Sequence, residues 1–165
     1  MDISENNFPG RTSIVVQNQI LTPAPSIDVV IAPDDRFNYA LTGDSRYYIR
    51  ASVQLLFHGG SEDGLPVPRH HITRYLMGTT HARPQNLTMD QDGYLSMTFQ
   101  WNDLRLLRSR WFRFQVELSL CYSSTDHRAY PGVEDSSTID VGEEFWVEPD
   151  PRFQPWPRDE GYYGH

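Results

Sequence analysis

DGYLSMTFQWNDLRLLRSRWFRFQVELSL, residues Asp92–Leu120, holds two runs of two-residue alternation joined by a short polar bend. In the first run Leu95, Met97, Phe99 and Trp101 oppose Tyr94, Ser96, Thr98 and Gln100. In the second, Phe112, Phe114, Val116, Leu118 and Leu120 oppose Arg113, Gln115, Glu117 and Ser119. Successive side chains of a strand point to opposite faces, so each run has one apolar face and one wet face. That pattern predicts antiparallel strands packed on one side only. It speaks of architecture and carries no chemistry of its own.

Working outward, Tyr47, Ile49, Ala51, Val53, Leu55 and Phe57 alternate with Tyr48, Arg50, Ser52 and Gln54, which predicts a long strand. Ile14-Val15-Val16 within Thr12–Gln19, and Ile27, Val29 and Ile31, predict two shorter ones. Between them lies Leu21-Thr22-Pro23-Ala24-Pro25, whose prolines cannot donate to a ladder. Pro33-Asp34-Asp35 supplies turn chemistry after the second strand. His58–Pro68 (HGGSEDGLPVP) is loop-forming, Ile72–Thr79 is a candidate strand with Leu76-Met77 as its apolar part, and Thr80–Gln91 is polar and irregular. Ser123–Asp135 reads as a loop and Ser137–Val147 as the last strand. Only Leu104–Arg110 offers even a short helical turn. Strands at this spacing, with turn signals between them, predict an all-β fold: a single-domain antiparallel β-sandwich with long loops and little helix. The expected organisation is a disordered leader at 1–11, the sandwich at 12–157 and a flexible tail at 158–165.

The chain has 165 residues, enough to bury a full core, and 13% of them are aromatic. A single cysteine, Cys121, rules out an intramolecular disulfide and reads as a half-buried structural thiol. No apolar run is long enough to cross a membrane, and the opening MDISENNFPGRT is acidic and polar rather than a signal peptide, so an intracellular protein is expected. Asn86-Leu87-Thr88 matches a glycosylation sequon, without weight in that setting. Net charge is −8, which argues against holding nucleic acid by general basicity. All 14 basic residues are arginine. Coding bias accounts for such a skew; selection for the planar, forked guanidinium would as well.

No catalytic residue, cofactor-binding motif or metal-ligand set stands out. His58, His81 and His127 fall in expected loops, and His70-His71, if on a strand, would point to opposite faces; none forms an HxH or HxxxH pair. There is no nucleophile elbow, phosphate-cradling glycine loop or dinucleotide fingerprint. Adjacent acids such as Asp34-Asp35 and Glu143-Glu144 read as surface charge. No cofactor is expected, and the balance leans away from an enzyme. Two basic runs remain as contacts for a partner or a phosphate: Arg69 and Arg74 flanking the two histidines, and Arg105, Arg108 and Arg110 in the bend. Trp146, Phe153 and Trp156, at a Pro-rich end without alternation, are candidate anchors for a protein partner or covers for an open sheet edge.

Several short motifs follow in order: SIVVQNQ (Ser13–Gln19), PSIDV (Pro25–Val29), YYIRASV (Tyr47–Val53) and LMGT (Leu76–Thr79). Gly93–Leu118 then holds a glycine, an aromatic strand, an Asp-Leu turn and an Arg-Phe-x-aliphatic strand; FWV (Phe145–Val147) and RFQP (Arg152–Pro155) close the series. In that order and spacing the sequence resembles the velvet domain of fungal developmental regulators, a β-sandwich related in shape to the Rel-type transcription-factor fold. The resemblance implies pairing with another velvet-type protein or with itself, a part in transcriptional control of fungal development or secondary metabolism, and nuclear and cytoplasmic location. Velvet domains that bind DNA carry a basic Ala-Arg-x-Cys-Gly segment and an Asp-Arg-Arg run between the first two strands. Here that place is Ile20–Pro25, which has no charge. Without those cations there is little counterion release to drive DNA binding, so protein association is the function left. The alternatives are a small-molecule-binding or enzymatic sandwich with a pocket between its sheets, and DNA binding through Arg69–Arg74 and Arg105–Arg110.

Overall fold

Two β-sheets pack face to face, and most of the buried apolar side chains lie between them. The computed structural model describes residues 1–123 and 132–153. The strands are β1 (Asp2–Asn6), β2 (Val15–Val16), β3 (Ser26–Ile31), β4 (Tyr47–Phe57), β5 (Leu76–Met77) and β6 (His81–Ala82). They continue as β7 (Gln85–Met89), β8 (Leu95–Gln100), β9 (Arg105–Leu106), β10 (Trp111–Tyr122), β11 (Gly132–Asp140) and β12 (Phe145–Glu148). One sheet runs β1-β3-β8-β7. The other runs β2-β12-β10-β4-β6, with β11 also paired to β10, and β5 and β9 form a small ribbon.

The alternations resolve as the sequence predicts. Ile27, Val29, Ile31, Leu95, Met97 and Phe99 line the inner face of the first sheet, none more than 5% exposed. Ile49, Val53 and Leu55 of β4 meet Phe112, Phe114, Val116 and Leu118 of β10 on the inner face of the second. Each fully buried residue of this kind contributes about 1.5–3 kcal/mol of transfer free energy.

The two alternating runs are not partners, however. β8 pairs with β3 and β7, whereas β10 pairs with β4, β11 and β12. Residues 101–110 cross from one sheet to the other. The reason is that the bend is polar only on one side. Trp101, Leu104 and Leu106 are almost fully buried, Trp101 Nε1 donates to the Thr80 carbonyl at 2.9 Å, and β9 pairs with β5. A tight hairpin would have left those side chains in water.

Other expectations are corrected as well. The supposed leader contains β1, an edge strand on β3, whose terminal amine pairs with Asp35 at 3.4 Å. Phe8 then packs edge-on against Trp101 and Phe114, at 5.4 and 5.3 Å, and closes that end of the sandwich. An α-helix, α1 (Arg36–Gly43), follows Asp35, which caps it by accepting the Phe37 amide at 2.9 Å. Leu104–Arg110, the one expected helical turn, instead contains β9. Thr80–Gln91 holds β6 and β7, part of Ser123–Asp135 belongs to β11, and the last strand is two, β11 and β12. Ile72–Thr79 shortens to β5 behind a 3-10 helix, Arg69–Arg74. The fold is not purely antiparallel, because β12 and β2 run parallel, Val147 opposite Val15. Residues 158–165, the expected tail, lie outside the described residues.

Two of the motifs meet at one point. Gly78 has φ +119°, and a Cβ there would collide with the Asp103 backbone carbonyl. Beside it, the Asp103 carboxylate accepts from the Thr79 amide and the Thr79 hydroxyl, both at 2.9 Å. The Leu-x-Gly-Thr and Asp-Leu elements therefore clasp each other where the crossover begins. Gly78→Ala combines a backbone conformation hostile to a side chain with a clash against main chain, and is expected to cost about 3 kcal/mol or more in urea unfolding. An alanine variant as stable as the parent would show that the clasp yields freely.

Candidate functional site

The outer face of the six-stranded sheet carries an exposed tryptophan pair; Tyr39 of α1 and Tyr94 are exposed elsewhere. Since Phe112 and Phe145 face inward, their neighbours Trp111 and Trp146, opposite each other in the β10–β12 register, must face out. Their rings lie 5.7 Å apart and remain 42% and 38% exposed. His58, at the end of β4, adds a third ring 6.2 Å from Trp111. Among the described residues, Trp146 is the one partner-contact candidate from the sequence that belongs to this patch. Trp111 was missed, although its position one residue out of phase with the apolar run Phe112–Leu120 marked it.

The basic residues separate into two kinds. Arg110 lies with its guanidinium 4.4 Å over the Phe57 ring and pairs with Glu62 at 3.5 Å. Its charge is thus used within the fold. Arg69, Arg74, Arg105 and Arg108 are exposed and have no carboxylate within ion-pair distance among the described residues. The β5–β9 ribbon brings the two basic runs alongside each other: Arg105 stands opposite Met77, and the Leu107 amide donates to the Tyr75 carbonyl at 2.8 Å. Phe153 ends the short 3-10 turn Pro151–Phe153, and Trp156 lies outside the described residues, as does His127.

The histidines differ from expectation. His70 and His71 sit on a 3-10 helix rather than a strand, with ring centroids 4.0 Å apart. Burial, His70 and Arg74 hold His71 below its ordinary pKa. His81 is on β6 rather than in a loop, where its Nδ1 shares a hydrogen bond of 2.6 Å with the Ser52 hydroxyl. Burial, Arg50 and Arg69 lower its pKa. Cys121 is fully buried rather than half-buried. Among the described residues no group of three His, Cys, Asp or Glu side chains is placed to hold a metal ion. Nor is any helix among them long and apolar enough to cross a membrane.

The space between the sheets is occupied by Phe99, Trp101, Phe112, Phe114 and Phe145, all at most 2% exposed. A cleft of about 470 Å³ lies elsewhere, between the N-terminal segment Asn6–Pro9 and Ile14–Pro23. Comparison with protein-family models finds no match, and none is found among curated proteins.

The titration shifts give a pH dependence of known sign. A histidine whose folded pKa lies below its unfolded value of 6.5 is protonated more readily in the unfolded chain. Stability is therefore complete above that value and declines as pH falls through it. The melting temperature is expected to drop between about pH 7.5 and 5.5, and His81→Asn to shrink the drop. The lowered carboxyl groups of Asp103 and Asp150 act only in more acid solution. A melting temperature flat across that range would refute the histidine contribution.

Proposed function

We propose that the protein is a β-sandwich association module of the velvet type that works by binding another protein of that type, in transcriptional control of development or secondary metabolism. The observation that carries this reading is the Trp111–Trp146 pair. Two large aromatic side chains held in register on a rigid sheet, and left substantially exposed, are the composition of an interface hot spot rather than of a solvated surface. Being set by strand pairing, they lose little freedom on binding.

The net charge of −8 shapes the choice of partner. Two copies of this chain repel each other at long range, whereas a more basic relative is drawn in. Heteromeric pairing is therefore favoured over self-pairing. The same charge, with the uncharged Ile20–Pro25 segment, assigns DNA contact to the partner rather than to this chain. The motif order supports the velvet reading, as does the clasp between Gly78-Thr79 and Asp103 that gives two of those motifs a common structural purpose.

Co-expression with basic velvet proteins is expected to yield a co-purifying complex. Trp111→Ala with Trp146→Ala should weaken it by at least about a hundredfold, since each hot-spot truncation costs upward of about 2 kcal/mol. Melting temperature should change little, because both side chains are surface groups. A double variant that pairs as tightly as the parent would sink the proposal, and a parent that forms only homodimers would overturn the heteromeric part.

A further inference from the structure

Eight residues along β10 from Trp111, roughly 26 Å at strand spacing, the same outer face gathers charge of one sign. Ala51 stands opposite Ala82 and Ser52 opposite His81 across β4 and β6. β6 ends at Ala82, and one residue further along the same line the chain carries Arg83 beside Arg50. The alternation that buries Ala51 turns Arg50 outward, and Arg83 is exposed. Like charges side by side on neighbouring strands are destabilising, and neither arginine has a carboxylate within ion-pair distance among the described residues.

On the other side of Arg50 the ladder places Ser119. Ser119 is 1% exposed, yet its hydroxyl has no hydrogen-bond partner, and Arg50 Nε is likewise hidden and unpaired. Buried polar atoms are partnered in the great majority of cases. Two orphan donors side by side in one register, beside two cations, call for an oxygen acceptor carrying negative charge. Glu117, opposite Ser52, is the carboxylate that the register brings nearest on this face, and it forms no ion pair with Arg50.

We propose that Arg50 and Arg83 bind a phosphoryl group on the outer face of the six-stranded sheet, with the Ser119 hydroxyl as a neutral donor at its base. Guanidinium forks match the oxygens of a phosphoryl group two at a time, and a dianion offsets the adjacent arginines better than a carboxylate does. The cations are concentrated at one spot of an acidic protein. That suits a single phosphate monoester, not the extended backbone of a nucleic acid. The site is separate from the tryptophan pair, so its fate does not depend on that of the association surface.

The test is titration of the full chain at neutral pH with inorganic phosphate, phenyl phosphate, a phosphoserine peptide and a short DNA duplex. Each is compared with sodium chloride of equal ionic strength, by calorimetry and by thermal shift. Saturable one-to-one binding of the phosphate probes is expected. Arg83→Gln should weaken it by about tenfold or more while raising the melting temperature of the ligand-free protein, because it removes a like charge beside Arg50. Arg108→Gln, outside this pair, should change neither. A phosphopeptide that binds more tightly than phenyl phosphate would make the source a phosphorylated protein, and the reverse order a phosphorylated small molecule. The proposal is overturned by a phosphate response no larger than that to chloride, by equal losses in the two arginine variants, or by binding of the duplex alone.

Discussion

The antiparallel ladder between β4 and β10 is the constraint on which the rest of the molecule depends. It runs without interruption from Tyr47 opposite Tyr122 to Phe57 opposite Phe112. Three other strands of its sheet pair with it directly, β12 on Trp111 and Phe112, β11 on Gln115–Tyr122 and β6 on Ala51 and Ser52, and β2 follows through β12. Its inner side chains form the floor of the core, where Phe114 stacks on Phe145 at 5.2 Å. Its outer side chains include Trp111 at one end and Arg50 at the other. Because side-chain period in a strand is two, a one-residue slip would bury the tryptophan and expose the phenylalanines. Core and surface chemistry are therefore specified by one and the same register.

Strand content was legible wherever alternation is strict, as in Leu95–Phe99 and Phe112–Leu120, because that pattern reports a face and needs no partner to be recognised. Pairing was not legible. The Asp92–Leu120 stretch reads like a hairpin, but Leu104 and Leu106 convert its bend into a buried crossover, and nothing in their local pattern tells a buried leucine from an exposed one. The helix Arg36–Gly43 escaped because its cap, Asp35, also completes a Pro-Asp-Asp turn signal and its eight residues are too few to show a clear period. β1 escaped because DISEN is an exposed edge strand, which shows its pairing only through the backbone. At the surface, Trp146 was visible as an aromatic near a Pro-rich end. Its pairing with Trp111 exists only across strands far apart in sequence.

The arginine-only basic content takes on a physical sense in this setting. Arg110 covers Phe57 with the flat face of its guanidinium while its edge reaches Glu62, two contacts that a lysine ammonium does not make together in this way. Arg46 does the same between the Tyr122 ring, 5.0 Å away, and Asp44. Several of these side chains thus act as planar packing surfaces that also carry charge. Arginine is used here partly as an aromatic-like residue, on a protein whose acidic groups outnumber its basic ones, 22 to 14.

The crossover through Leu104 and Leu106 has a further consequence, for how the chain reaches this state. Neither sheet is contiguous in sequence: β3 must find β8 across four intervening strands, and β4 must find β10 across five. Each such pairing closes a long loop before any contact rewards it, so folding is expected to be slow for a chain of this size, and little stable structure can form from either half alone. β8 and β10 emerge one after the other yet commit to opposite sheets, so the core cannot be completed in either sheet until the other is in place. The sandwich is consequently one cooperative unit. A lesion anywhere in the crossover is felt by both layers at once.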